Sequence, residues 1–190
     1  IPIQRKVTCG PQAPYICHPA SCEENSSEDS GKSSSEIFEN LRRRIAEWTR
    51  VPSEDYVFLT PSGMASIYTA LRSARRFQLQ ASPLSKGGRS IVYGFPYLDT
   101  LKLCSRTEFC PAGVEFFGLG NKEDLNLLEQ VLQQQQSYSQ GKFCALFTEV
   151  PSNPLLKCPD LHALRELADA YDFALIVDDT IGNFLNIDMI

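Results

Sequence analysis

Neither a G-x-G-x-x-G nor a G-x-x-x-x-G-K-[ST] pattern occurs anywhere in the 190 residues, so the usual fingerprints of dinucleotide and nucleotide triphosphate binding are missing. No apolar run approaches the roughly 18 residues of a membrane span. No charged-then-apolar segment of a secretory signal opens the chain. A basic surplus is lacking too: 18 Lys and Arg stand against 23 Asp and Glu, a net charge of -5, which argues against a nucleic-acid surface. Paired C-x-x-C spacing is absent. The Cys17, His18 and Cys22 cluster therefore has no second half, and zinc or any other metal is not expected. An initiator methionine is missing as well; the chain opens at Ile1 and reads as a piece of a longer product.

What is there suits a globular protein: 43% hydrophobic and 22% charged residues, enough for one real core or a large part of a bigger one. Seven cysteines is an odd count, and the later ones lie in or beside apolar segments. That pattern predicts reduced, buried thiols in a cytoplasmic protein rather than a disulfide framework.

Residues 1–35 hold several prolines and the polar run CEENSSEDSGKSSS, with almost nothing to bury, and read as a flexible or poorly ordered leader. From residue 36 onward the pattern changes. EIFENLRRRIAEWTR sets Ile37, Phe38, Leu41, Ile45 and Trp48 at helical spacing, with Ser35 as the expected N-cap. Arg42, Arg43 and Arg44 are read as a solvated face. YVFL at 56–59 is predicted as a strand and residues 62–76 as a helix with Met64, Ile67, Leu71 and Ala74 inward. A loop at 80–90, a strand at 90–95 and a helix after Pro96 follow. Then come strands at 113–119, 142–150 and 173–177, separated by a helix capped by Asn121 and a helix from Pro159 to Tyr171. The alternation predicts an α/β domain with a doubly wound, mostly parallel sheet, because the strands are continuous apolar runs buried on both faces. Ligands of such sheets sit beyond the carboxyl ends of the strands.

Four strand ends carry chemistry. YVFL runs into Ser62-Gly63-Met64 at a helix start, where open backbone N–H groups and the helix dipole suit a phosphate; Ser-Gly is equally a plain cap. After SIVYGF comes Tyr97, able to offer a flat face to a planar ligand, whereas Tyr93 within the strand reads as core. After ALFTEV, two prolines enclose Ser152-Asn153 in a rigid turn, with Asn153–Pro154 a candidate cis bond. FALIV ends on Asp178-Asp179-Thr180. A carboxylate there is partly desolvated and needs a positive partner: a metal, an arginine or a protonated ring nitrogen. A receiver-like magnesium site is disfavoured because the acids end the last strand. Hydrolases of the D-x-D type need acids two apart.

Taken together, SGM at 62–64, TEVPSNPLLKCPDLHALRELA at 148–168 and LIVDDT at 175–180 resemble the pyridoxal-phosphate enzymes of cysteine and methionine metabolism, most closely the cystathionine gamma-synthase family in its fungal form. The resemblance covers roughly residues 36–190. It implies part of the large domain of a fold-type I pyridoxal-phosphate transferase, with pyridoxal 5'-phosphate as cofactor. Ser62, Gly63 and Met64 would serve the cofactor phosphate, Tyr97 would stack on its ring with Tyr93 as the fallback, and Asn153 would lie near the ring hydroxyl and the substrate carboxylate. Asp178 would bind the ring nitrogen, and Thr180 would pack beside the ring. The implied reaction is gamma-replacement on an activated homoserine ester with cysteine, giving cystathionine. Homocysteine synthases and gamma-lyases share every one of these motifs. The family's Schiff-base lysine lies downstream of the Asp178 position, past Ile190. No catalytic residue is therefore assigned, and an inactive fragment is the contrasting expectation. Lys157 reads as a surface lysine. The family's Tyr-x-Arg segment has no counterpart before the first helix, and Asp179 stands where the family commonly has Asn. Small amino-acid substrates, a homo-oligomer, no nucleic acid and no membrane complete the expectation.

Overall fold

The computed structural model describes residues 7–8, 33–81, 88–135 and 142–183. Helix α1 spans Ser34–Trp48. Its cap is Ser33 rather than Ser35: the Ser33 hydroxyl accepts from the Glu36 N–H, and the Glu36 carboxylate accepts from the Ser33 N–H at 2.8 Å. This reciprocal pair satisfies two orphan donors at once, which a cap two residues later would not. The apolar stripe predicted to face a core stays largely open; Phe38 and Trp48 are 57% and 46% exposed, and Ala46 is the buried residue of the helix.

The run at 56–59 is not a strand. Glu54–Tyr56 form a 3-10 turn and the next four residues are extended without a ladder, leaving Phe58 78% exposed. The carbonyls that a neighbouring strand would take are taken by Arg42 instead, whose guanidinium donates to Glu54 O at 2.7 Å and Val57 O at 3.0 Å. Arg42 is thus half-buried and structural, not part of a solvated face.

Helix α2, Gly63–Ala81, outruns its expected end by five residues. The buried Gln78 explains this, since its amide donates to Lys142 O at 2.9 Å and Phe143 O at 2.8 Å and ties the last turns to the sheet. The other elements are β2 (Arg89–Tyr93), α3 (Leu98–Cys104), β3 (Val114–Phe117), α4 (Lys122–Gln135), β4 (Phe143–Glu149), α5 (Leu161–Tyr171) and β5 (Ala174–Asp178). Asn121 caps α4 as expected, accepting from the Asp124 N–H at 3.0 Å. Asp160 caps α5 by accepting from Ala163 N–H at 3.0 Å, so Pro159 lies outside the helix rather than in its first turn.

Every pairing in the sheet is parallel, in the order β1-β5-β4-β2-β3, where β1 is Val7–Thr8. Those two residues fall within the stretch read as a leader; residues 9–32, including Cys17, His18 and Cys22, lie outside the described residues. One face of the sheet packs Val92, Phe147 and Ile176 against Ile67 and Leu71 of α2 and Cys104 of α3. The other packs Ile91, Leu146 and Leu175 against Leu128 and Leu132 of α4 and Leu164 of α5. Helices on both faces explain why the strand sequences are apolar without alternation. No helix among the described residues is long and apolar enough to cross a membrane.

Candidate functional site

From β2 the chain moves outward to β3, then returns to place β4 on the other side of β2. The sheet therefore has its switch point between β2 and β4, where open α/β sheets leave a crevice beyond the strand ends. A shallow cleft lies there, lined by Ile67, Pro96, Thr100, Thr148, Glu149 and Asp178 among others.

Asp178 is the last residue of β5 and is half-buried. Thr180 folds back on it: the Thr180 N–H donates to Asp178 Oδ1 at 3.0 Å and its hydroxyl donates to the same oxygen. No hydrogen bond among the described residues occupies Asp178 Oδ2. Tyr97, 54% exposed, is the residue before α3, and its N–H donates to Glu149. Asn153 is exposed in the turn after β4, flanked by cis bonds at Val150–Pro151 and Asn153–Pro154, and its N–H donates to the other Glu149 oxygen at 3.4 Å. Glu149 in turn lies beside Asp178 in the β4–β5 register. Four of the sequence-derived residues thus converge on one spot.

Glu149 is the residue that sequence reasoning passed over. It lies within the TEVPSNP stretch that carries the resemblance, but nothing in the pattern foretells that two loops close on it. Burial, then the nearby Asp178 charge, push its carboxyl up, while the two N–H donors pull it down. Asp179 is buried with Oδ1 unpartnered; burial first and the Asp178 charge second raise it to about 6. Thr100 and Thr148, both on the cleft, also have buried hydroxyls without partners.

Ser62, Gly63 and Met64 share no hydrogen bond with the other four. They begin α2, whose Ile67 reaches the same cleft one turn on. Ser62 caps the helix, its hydroxyl accepting from Ala65 N–H at 3.2 Å. No hydrogen bond among the described residues takes the Gly63 or Met64 N–H, and the side-chain direction at Gly63 opens on empty space. Two free N–H groups at the positive end of a long helix make a cradle for an anion. Tyr93 is 2% exposed and its hydroxyl donates to Asn121 O at 2.7 Å, so Tyr97 is the tyrosine of this pair open to a ligand. Lys157 is exposed, as expected. No group of three or more His, Cys, Asp or Glu among the described residues could hold a metal ion.

Over three quarters of the chain, the structure of an Oryza sativa TDC solved with PLP and tryptamine superposes with a TM-score of 0.60 at 17% identity, covering 32% of that chain. The fold is accordingly that of part of a fold-type I pyridoxal-phosphate enzyme. No protein-family profile matches the chain. Individual relatives do: a cystathionine gamma-synthase of Neurospora crassa is 44% identical over 137 residues, 72% of this chain and 21% of the relative. A cystathionine gamma-synthase-like enzyme of Amanita muscaria is 42% identical over 140 residues, 73% of this chain and 22% of the relative. Over nearly three quarters of its length the chain is thus similar to fungal cystathionine gamma-synthases, and it spans about a fifth of the length of these curated relatives.

Proposed function

We propose that this chain forms the cofactor-binding part of a pyridoxal-phosphate-dependent carbon–sulfur transferase. Its reaction is gamma-replacement on an activated homoserine ester with cysteine, giving cystathionine. The observation that carries this reading is the convergence of Tyr97, Asn153, Asp178 and Thr180 at the switch point of the sheet, in a chain 44% identical over 72% of its length to a cystathionine gamma-synthase. Pyridoxal phosphate has an anionic end, a flat ring and a basic ring nitrogen, and the residues fit each part. The free Gly63 and Met64 N–H groups bind the phosphate, with Ser62 holding the helix start in place. Tyr97 would stack its exposed ring on the pyridine and fix its orientation. Asn153, exposed in the turn after β4, would offer its amide to the ring hydroxyl and the substrate carboxylate.

Asp178 would hold a proton on the ring nitrogen. Thr180 occupies Oδ1 with two donors, which restrains the carboxylate and leaves Oδ2 free for that nitrogen. Bound there, the cofactor supplies an electron sink for carbanions next to the substrate nitrogen. Among the described cysteines, Cys104, Cys110, Cys144 and Cys158 are free, which supports a reducing, cytoplasmic setting. A homo-oligomer acting on small amino-acid substrates is part of the same reading.

The test is Asp178→Asn in the protein, assayed for cystathionine from cysteine and activated homoserine esters. Cystathionine production should fall about a hundredfold or more, as for loss of a preorganised charge at a reacting centre. Unaltered turnover in this variant would remove Asp178 from the site. Cofactor binding by the wild type with no cystathionine formed would leave the fold assignment and overturn the reaction.

A further inference from the structure

We infer that Glu149 is a positioning residue for the cofactor site: its two carboxylate oxygens clamp the loop bearing Tyr97 and the loop bearing Asn153 at a fixed distance from Asp178. This rests on the proposed function above and adds a residue that no motif assigns.

Three observations carry it. First, the two loops leave different strands, β2 and β4, and nothing in their sequences holds them together. Each nevertheless donates a backbone N–H to Glu149, Tyr97 to one oxygen and Asn153 to the other. Second, Glu149 is the final residue of β4, the central strand paired on both sides, so its backbone is fixed by the sheet while its side chain serves the loops. Third, Glu149 lies directly beside Asp178 in the register and on the same cleft. Two carboxylates on adjacent strand ends repel, and burial makes the repulsion stronger. Such a pair is disfavoured for stability alone; an acceptor with one oxygen and no charge would avoid the repulsion. A group that needs both oxygens, near a cation such as a protonated ring nitrogen, justifies the arrangement.

The geometry separates this role from catalysis. Both Glu149 oxygens are already engaged by N–H donors, so the residue acts on the ligand through Tyr97 and Asn153. Glutamine at this position has one acceptor oxygen and an NH2 group that cannot accept. One loop is therefore released while the size of the side chain is kept.

The experiment compares wild type with Glu149→Gln and Glu149→Ala by two readouts. Hydrogen exchange at individual amides needs no cofactor. In the wild type, Tyr97 and Asn153 should exchange more slowly than unbonded amides of the same loops. In Glu149→Gln one of the two should lose protection, and in Glu149→Ala both should, with the β4 amides unchanged. Titration with pyridoxal phosphate should show about tenfold weaker binding in Glu149→Gln, the scale of one lost hydrogen bond to a charged group. The induced circular dichroism of the bound ring should shrink as Tyr97 loses its fixed position. Wild-type Tyr97 and Asn153 amides that exchange as fast as free loop amides overturn the clamp even if both variants fail to fold. Equal cofactor affinity and equal dichroism in folded Glu149→Gln also overturn it. A wild type that binds no pyridoxal phosphate overturns the proposed function instead, and the exchange pattern still decides the clamp.

Discussion

At the amino ends of the strands, Cys104, Cys110 and Cys144 crowd around Ser90; at the carboxyl ends, Glu149, Asp178 and Asp179 crowd around the cleft. Both clusters are buried and ionisable, yet they are built differently. The thiols bond to one another and to Ser90, while Gln78 Oε1 and Arg75 Nε near them are sealed in without a partner. Cys110 donates to Ser90 at 3.3 Å; burial pushes Cys104 up to about 12, and the hydrogen bond with Cys110, then burial, push Cys144 up as well. Their packing is tight enough that a Cβ at Gly88 would meet Cys144 Sγ at 2.9 Å. The acidic end instead keeps vacant acceptors and donors: Asp178 Oδ2, Asp179 Oδ1, the Thr100 and Thr148 hydroxyls, and the Gly63 and Met64 N–H groups. Unpartnered groups occur at both ends, but at the acidic end they line a cleft, where a ligand can reach them.

The contrast is strongest at Phe143, the buried first residue of β4. Phe143→Ala should lose about 3–5 kcal/mol in urea unfolding through the cavity left between sheet and helices. Cofactor affinity of the molecules that stay folded should be unchanged. A variant that lost affinity first would show that the two ends are not separable.

Asp179 gives the next effect, at the other end. Its pKa is about 6 in the fold against an ordinary 3.8, so its protonated form is the one the fold prefers. The stability it contributes is fully present below its unfolded pKa and is lost as pH rises through about 6. Asp179→Asn should therefore flatten the fall of the melting temperature between about pH 4 and 7 and be more stable than wild type at pH 8, on the order of 1–3 kcal/mol. Glu149, also raised by burial, keeps part of the slope. An unchanged slope would mean that Asp179 is hydrated in the fold.

The smallest effect on stability is expected at Gly63. Alanine meets no atom there and suits a helix better than glycine, so melting should hold or rise by about 0.5–1 kcal/mol. Its methyl would stand beside the proposed anion cradle and weaken cofactor binding. Gain of stability with loss of affinity in one variant is what a ligand-facing end should show.

The sheet was legible because its strands are continuous apolar runs between helices, and every parallel strand from β2 to β5 sits within a residue or two of its expected place. YVFL failed because an apolar run reports a wish for burial, not a partner strand, and Arg42 took the Val57 carbonyl. The open face of α1 could not be read either, since periodicity says which residues share a face and not what covers it. At the site, Asp178 was readable from its place at a strand tip. Glu149 was not, because its role comes from two loops meeting in space. The distinction between Tyr93 and Tyr97 needed the Tyr93 hydroxyl bond to Asn121.

The strand order also dictates a sequence in time. Val92 pairs with Phe116, and Phe147 with Ile176, across single helical crossovers. The seam between β2 and β4 joins Val92 to Phe147 and must wait for a much longer loop to close. Two sub-sheets can therefore assemble early and dock late. Tyr97 rides on one half, Glu149, Asn153 and Asp178 on the other. The crevice does not exist in either half alone, so a folding intermediate with both sub-sheets formed would have nearly all its secondary structure and no place for a ligand, and a ligand would act as a reporter of the last docking step.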